Sequence, residues 1–517
     1  MGASMATFIR KDAWKLSAIS TWEPTLLWYA KAVGEMSGRP AKDPTSWRFQ
    51  AGVHGYNKTT DPFVKSGPIP SASEVSKFWS KCQHGSWFFL PWHRLYLGFF
   101  EEIVRAAIVK LGGPKDWALP YWNYSDTSNP NARALPPAFR QKNLPDGSPN
   151  PLYAIQGIGI LRAPGIVTGT LSVIPPQDVD LSHCLSETFF SPNTDTTVGD
   201  LGFGGPATGL NHDGQFFGQK SVENVPHNAI HVDVGGETTN GWMLNPDTAA
   251  LDPIFWLHHA NIDRLWSVWN RTANSNTDPT VPVNVGGKKI SWETSIKFMF
   301  RDLSAHAVTM KPIDVKETAT TRFQYDYDDA IQPIAAVAAR RAATGQGEIM
   351  KSQPRSEMIG ASRTKIALTG SAQTASFTIA QPSGPAKARV EGAKAPSSGK
   401  VYLVIENVKS KESHATYGVY VDLPAKPSAS DYEQHYAGAM HLFGVRHASK
   451  RSKQHAGNGL TFSLDITNLV GILVAKKQWD DKNVRVSFVP RGSSGEAINA
   501  IAKHDPIQIG RVSVYRA

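Results

Sequence analysis

Four stretches of the chain repeat apolar residues at helical spacing. In TWEPTLLWYAKAVGEMS (21–37), Trp22, Leu26, Tyr29 and Val33 share one face, and Pro24 stands near the start. A second helix is predicted from near Pro91 through HRLYLGFFEEIVRAAIVKL to Gly112, where paired glycines end it. A third is predicted over roughly 224–233. A fourth begins at Asp252-Pro253, cap and first-turn residue, and continues through IFWLHHANIDRLWSVWN. Between the second and third, residues 125–220 are rich in Pro, Gly and Asn and read as surface loops. The pattern changes after Tyr327. Residues 334–362 sustain no apolar period and read as a linker. Short β-branched runs follow: TASFTIA, KVYLVIENV, YGVYVDLP, LTFSLDI, VRVSFVP and IGRVSVY. They predict an antiparallel β-sandwich. The expected division is a mainly α unit over 1–333, a linker over 334–362 and a sandwich over 363–517.

Composition leaves that picture standing and narrows function. Of 517 residues, 41% are hydrophobic and 19% charged, a balance that suits a globular chain with a sizeable core. No run reaches the roughly 18 apolar residues of a membrane-spanning helix. The net charge of +10 is spread along the chain rather than gathered in a stripe, so neither nucleic acid nor a membrane is an expected partner. The start, MGASMATFIRKDAWK, lacks the apolar core of a secretory signal, so the chain is expected to be cytoplasmic unless a leader has already been removed. Two cysteines, Cys82 and Cys184, exclude a disulfide framework.

The 16 histidines say more. His227 and His231 stand four apart in VPHNAIHVDV, so one helical face presents both imidazoles. His258 and His259 lie inside the apolar helix DPIFWLHHANIDRLW, where a histidine is otherwise costly. CQHGSWFFLPWHRLYL places His84 and His93 nine apart, and His54 lies in AGVHGYN. Helices facing one another in a bundle can aim such residues at one buried site. Imidazoles without carboxylate or thiolate suit copper, zinc, iron or nickel. The H-E-x-x-H pattern is absent, which argues against a zinc hydrolase. Two groups of three neutral ligands suit a pair of copper ions that meet O2. The five histidines between His414 and His455, by contrast, show no metal-ligand spacing.

FLPWHRLYLGFFE and DPIFWLHHANIDRLW, with HNAIH between them, resemble the two copper signatures of the tyrosinase and polyphenol oxidase family, whose type-3 dicopper site is shared with molluscan haemocyanins. The resemblance implies a four-helix bundle holding two copper ions, O2 as co-substrate and small phenols as substrates. It implies His54, His84 and His93 on one copper and His227, His231 and His259 on the other. His258 then stands beside the ligands, with Phe255 and Phe89 packed on their rings. Cys82, two residues before His84, matches a cysteine that in fungal members forms a thioether to that ring. Tyr325-Asp326-Tyr327 matches the family's YxY sequence, for which Arg10 is the expected partner. Glu223 and Asn228 match a Glu and an Asn proposed to hold the water that takes the phenolic proton. That match leans towards monophenol hydroxylation as well as diphenol oxidation. The alternatives are a catechol or o-aminophenol oxidase, or a haemocyanin-like O2 carrier.

The tail KVYLVIENV…YAGAMHLFGV…VRVSFVPRG resembles the C-terminal domain of plant polyphenol oxidases, with YGVYV where those usually carry KFDVYV. This implies a latent enzyme. The covering domain would insert Tyr436, Met440 or Phe443 where substrate sits, and the Arg-containing linker would be the cleavage point.

Overall fold

Two hydrophobic cores organise the chain. The fold is that of a computed structural model and is described for residues 8–192, 198–212, 216–236, 240–272, 276, 278–279, 281–319, 322–329, 356–380, 399–412, 416–451, 456–491 and 505–517. The first core runs from Ala13 to Tyr327 and buries Trp47, Trp87, Trp92, Trp122, Trp256, Trp266, Trp269 and Trp292 completely or nearly so. The second is built from residues between Ile359 and Val514, with one contribution from far upstream, Phe217.

Helices carry the first unit. Helix α1 (Pro24–Ser37) starts where the Glu23 side chain accepts from Thr25 N–H, with Pro24 in the first turn. Helix α2 (Trp47–His54) is capped by the Ser46 hydroxyl, which accepts from Phe49 N–H. Helix α3 (Phe89–Lys110) is apolar on most of its surface and starts two residues before the expected proline. It ends as the paired glycines demand: Gly112 adopts φ of +84° and Gly113 N–H returns to the Ile108 carbonyl at 2.9 Å. The helix expected over 224–233 is only partly one. Val225 is extended (φ −134°, ψ 121°), as a residue before proline prefers, so 223–228 forms a wide turn and the regular helix α4 covers Ala229–Gly235 alone. Helix α5 (Pro253–Thr272) begins where Asp252 Oδ1 accepts from Ile254 N–H.

The ends of the unit meet. Strand Phe8–Arg10 pairs in parallel with Tyr325–Tyr327. Buried Arg10 ion-pairs with Glu101 (2.5 Å) and Asp263 (3.1 Å), and the Tyr325 and Tyr327 hydroxyls donate to Asp263. A buried cation this well surrounded would be costly to strip of any one partner.

The C-terminal region is sheet-rich. Nine strands are named in chain order: β1 (Phe216–Gly218), β2 (Glu357–Ala361), β3 (Gln373–Phe377), β4 (Val401–Val408), β5 (Thr416–Val421), β6 (Tyr436–Met440), β7 (Leu460–Asp465), β8 (Val484–Arg491) and β9 (Arg511–Arg516). They form a five-stranded sheet, β2-β9-β4-β7-β1, and a four-stranded sheet, β3-β8-β5-β6. Inward side chains of both sheets share the second core. Two features depart from the sequence expectation. Strand β2 lies inside the stretch read as linker, because its partner β9, not its own polar residues, supplies the pairing; residues 330–355 lie outside the described residues. Strand β1 lies inside the stretch read as loops and runs parallel to β7. No helix among the described residues is long and apolar enough to cross a membrane.

Candidate metal centre

The six histidines implied as ligands are spread along the chain and converge. His54 is the last residue of α2, His84 precedes α3, and His93 lies one turn into α3. His227 sits in the turn before α4, His231 on α4, and His259 on α5. All are buried. Ring centres of His54, His84 and His93 lie 5.3–5.7 Å apart. Those of His227, His231 and His259 lie 4.6–5.6 Å apart. The two sets touch where His93 stacks on His259 at 4.5 Å.

In five of the six rings orientation is set by the other ring nitrogen; His259 Nδ1 is buried without a hydrogen-bond partner, and that ring is held by packing on Phe255 and His93. Nδ1 of His54 donates to the Pro246 carbonyl (3.0 Å), of His93 to Phe89 (2.8 Å) and of His231 to Met243 (2.8 Å). His84 Nδ1 lies 3.5 Å from the His212 carbonyl, and His227 Nδ1 faces the Asn228 side-chain oxygen at 2.9 Å. A carbonyl can only accept, so each such ring carries its proton on Nδ1 and turns a bare Nε2 inward. Nε2 of His54, His84, His93 and His227 is buried without a hydrogen-bond partner. His231 and His259 point Nε2 at each other across 3.4 Å. Burial, reinforced by neighbouring imidazoles, drives the pKa of all six far down, His54 to about 3, so every ring is neutral. Orphaned lone pairs on neutral, converging imidazoles are what a soft or borderline metal ion would satisfy. The donor atoms of His54, His93 and His259, and of His227, His231, His258 and His259, lie within 4.8 Å of one another.

His258 differs from its neighbour in having its Nδ1 3.2 Å from the Tyr124 hydroxyl, deep on the α5 side. Phe255 packs on His259 (4.2 Å) and His54 (4.9 Å), and Phe89 on His93 (4.5 Å) and His227 (4.7 Å). Both oxygens of Glu223 accept from Gly85 N–H, at 2.8 and 2.9 Å, so this carboxylate grips the residue next to His84. Burial pushes its pKa well above the carboxylate range, against the lowering effect of the Gly85 and Ser86 amides. Asn228 spends its oxygen on His227 and leaves Nδ2 without a partner. Cys82 Sγ lies within 4.8 Å of the donor atoms of His54 and His84, yet its hydrogen-bond contact is His212 Nδ1 at 3.1 Å. Cys184 is buried at a distance, against the Leu181 carbonyl.

The C-terminal domain closes the site. Phe443 is 3% exposed and stacks on His231, centres 4.0 Å apart and planes 16° from parallel, with Val232 and Leu244 beside it. It also meets His84 and His227 edge-on. Of the three residues named from sequence, Met440 belongs to the domain's own core and Tyr436 packs against Tyr420. Docking is polar around this plug. His447 contacts Asp247 at 3.0 Å, Arg491 pairs with Asp178 at 3.0 Å, and Lys400 approaches Asp200 at 3.5 Å. Burial works against the Asp247 carboxylate, but the His447 hydrogen bond and charge hold its pKa below the ordinary value. Sequence reasoning missed Asp247, Tyr124, His212 and the anchoring carbonyls of Pro246 and Met243. A backbone oxygen has no side-chain signature, so no signal in the sequence marks it.

A family profile described as the common central domain of tyrosinase matches residues 44–272, and a domain family of unknown function, DUF7868, matches 355–517. A tyrosinase of Hahella sp. (strain CCB-MM4), HcTyr1, is 35% identical over 507 residues, which cover 95% of this chain and 97% of that protein. The chloroplastic polyphenol oxidase of Malus domestica is 26% identical, over 90% of this chain and 72% of its own. Among solved structures, latent apple tyrosinase aligns over 100% of this chain and 98% of its own with a TM-score of 0.57 at 23% identity, a likeness of fold.

Proposed function

Because this chain belongs to the tyrosinase and polyphenol oxidase family, we propose that it ortho-hydroxylates monophenols and oxidises o-diphenols to o-quinones with O2, and is latent while its C-terminal domain is docked. In this reading His54, His84 and His93 hold one copper ion and His227, His231 and His259 the other, at the heart of a helical bundle. When bound, the copper pair supplies O2 activation and accepts electrons from the phenol. The observation that carries the reading is the set of neutral imidazoles with inward Nε2 atoms directly beneath Phe443.

The chain's own part is to bind, orient and shield. Ring packing by Phe255 and Phe89, with anchors on Nδ1 of every ring but His259, fixes the imidazoles so that ligand geometry costs little to maintain. With Phe443 withdrawn, a phenol ring can take its place against His231, flanked by Val232 and Leu244. The unpartnered Asn228 Nδ2 and the Glu223 carboxylate then hold the water that receives the phenolic proton. Cys82 is proposed to join the His84 ring through a thioether: its S–H and a ring C–H bond would break as the C–S bond forms, and O2, the co-substrate, would be the oxidant, reduced by the two electrons and two protons to hydrogen peroxide.

Copper-loaded protein with Phe443→Ala, assayed on L-tyrosine and L-DOPA beside the unaltered chain, tests this. Two copper ions per chain and turnover of both phenols, raised by the substitution, are expected. Copper-replete protein that turns over neither would sink the reading. One observation favours a second reading, a diphenol oxidase without hydroxylation: both Glu223 oxygens are already taken by Gly85. Glu223→Gln decides between them. Loss of about 10²-fold confined to L-tyrosine supports the proton-transfer role, and equal losses on both substrates support the structural one.

A further inference from the structure

Strand β1 is covalently part of the helical unit and structurally part of the C-terminal domain. Phe216, Phe217 and Gly218 pair in parallel with Thr461, Phe462 and Ser463 at the edge of the five-stranded sheet. Phe217 is 2% exposed and lies in the C-terminal core against Phe462. The next residue, Gln219, is held three times by the same domain. Its N–H donates to the Ser463 carbonyl (3.0 Å), its Nε2 to the Ala437 carbonyl (3.3 Å), and its Oε1 accepts from Asp465 N–H (2.9 Å).

Only three residues separate Gln219 from Glu223, and they are tightly tied. Ser221 N–H donates to the Gly218 carbonyl at 3.1 Å, and the Ser221 hydroxyl accepts from Glu223 N–H at 3.2 Å. Lys220 pairs with Asp200 at 2.6 Å, Val222 N–H donates to the Phe203 carbonyl, and the Val222 carbonyl accepts from His227 N–H. Glu223 in turn grips Gly85. Hydrogen bonds joined by short stretches of backbone therefore lead from the sheet edge of the covering domain to the Glu223 N–H, while the Asp200 and Phe203 contacts brace the same segment against the helical unit.

We propose that residues 216–219 are a clasp through which the docked C-terminal domain positions Glu223 and the Gly85 end of the His84 loop, with Gln219 as the positioning residue. The covering domain is thus a structural part of the proton-handling site as well as its lid. This rests on the hydroxylase reading above for its effect on catalysis, but not for the clasp itself. Withdrawing the plug and loosening the clasp should then yield different enzymes. Phe443→Ala opens the site with Glu223 still in place, whereas adding Gln219→Ala lets it drift. A misplacement of this kind costs chiefly the step that depends on the carboxylate.

The test uses the full-length chain. Amide hydrogen exchange on metal-free protein reads the clasp directly: Gln219→Ala should speed exchange of the Gly85 amide and of 221–227 by about tenfold or more, with the rest of α3 unchanged. In copper-loaded Phe443→Ala protein, adding Gln219→Ala should lower kcat/KM for L-tyrosine about tenfold and leave L-DOPA within about twofold. Unchanged exchange at Gly85 overturns the clasp. Faster exchange with equal losses on both phenols overturns the positioning role. Faster exchange with neither phenol turned over, before or after the second substitution, overturns the oxidase reading and leaves the clasp standing. If Gln219→Ala does not fold, exchange of the unaltered protein in sub-denaturing urea replaces it. The Gln219 and Gly85 amides must then open together below global unfolding, and independent openings overturn the proposal.

Discussion

The two histidine triads do the same geometric work by different means. The second, His227, His231 and His259, comes from one turn-and-helix segment and one long helix, and two of its members are four residues apart. The first, His54, His84 and His93, comes from the end of one helix, a loop and the start of another. Two of its anchors are remote: Pro246 holds His54, and His212 faces His84 at 3.5 Å, the longest Nδ1 contact of the set, while His93 is held locally by Phe89. His84 also lacks a helix of its own, and its loop is held by Glu223 through Gly85. The contrast teaches that local spacing supplies two of the three imidazoles of one triad, whereas all three of the other are brought together only by the fold. The C-terminal domain reaches both triads, the second through Phe443 on His231 and the first through the segment that ends at Glu223 and Gly85.

The largest effect that would break this comparison is loss of a ligand. His93→Ala and His259→Ala should each reduce copper to about one ion per chain and abolish oxidase activity, because a three-ligand site without one member no longer holds its ion. Retention of two ions in either variant would overturn the ligand assignment for that triad. His258→Ala should keep both ions and slow turnover, about tenfold, through lost support from the Tyr124 side.

Acid should act on both triads before metal is bound. Burial lowers the folded pKa of these histidines below 6.5, so the unfolded chain takes up protons first as pH falls. Their contribution to stability is present above pH 6.5 and is lost progressively below it. For His54, with a folded pKa of about 3, the loss at pH 5 is about 2 kcal/mol. Thermal melts of metal-free protein from pH 8 to 5 should show a steep fall that copper suppresses. A flat profile would mean that the rings are not held neutral.

The smallest expected effect sharpens the asymmetry. If a thioether tethers His84, copper-loaded protein should weigh two hydrogens less than its sequence, with the loss mapped to the peptide holding Cys82 and His84. Cys82→Ser should then weaken binding at the first triad alone, by about tenfold. A Cys82 that alkylates fully in active protein would dismiss the tether.

Much of this was legible along the chain. Apolar periodicity marks α1, α3 and α5, because each buries a whole face and every turn repeats the signal. Pro226, which makes Val225 extended and cuts the third helix short, lies in the same sequence, but the apolar spacing across it predicts a longer helix than forms. Histidines in apolar surroundings announce a buried polar site, since neutral imidazoles are tolerated there only with partners. What the tertiary structure alone decided is of another kind. Strand β1 is three residues long and exists because β7, more than two hundred residues away, completes its hydrogen bonds. Phe443, and not Tyr436 or Met440, reaches His231 because β6 turns Met440 into its own core and the chain then bends at Gly444, with φ of +77°, over the site. The carbonyls of Pro246, Phe89 and Met243 aim the imidazoles, and any residue type supplies the same oxygen. Side-chain identity and spacing are written along the chain. Which backbone groups meet across it depends on long-range packing, which no local pattern encodes.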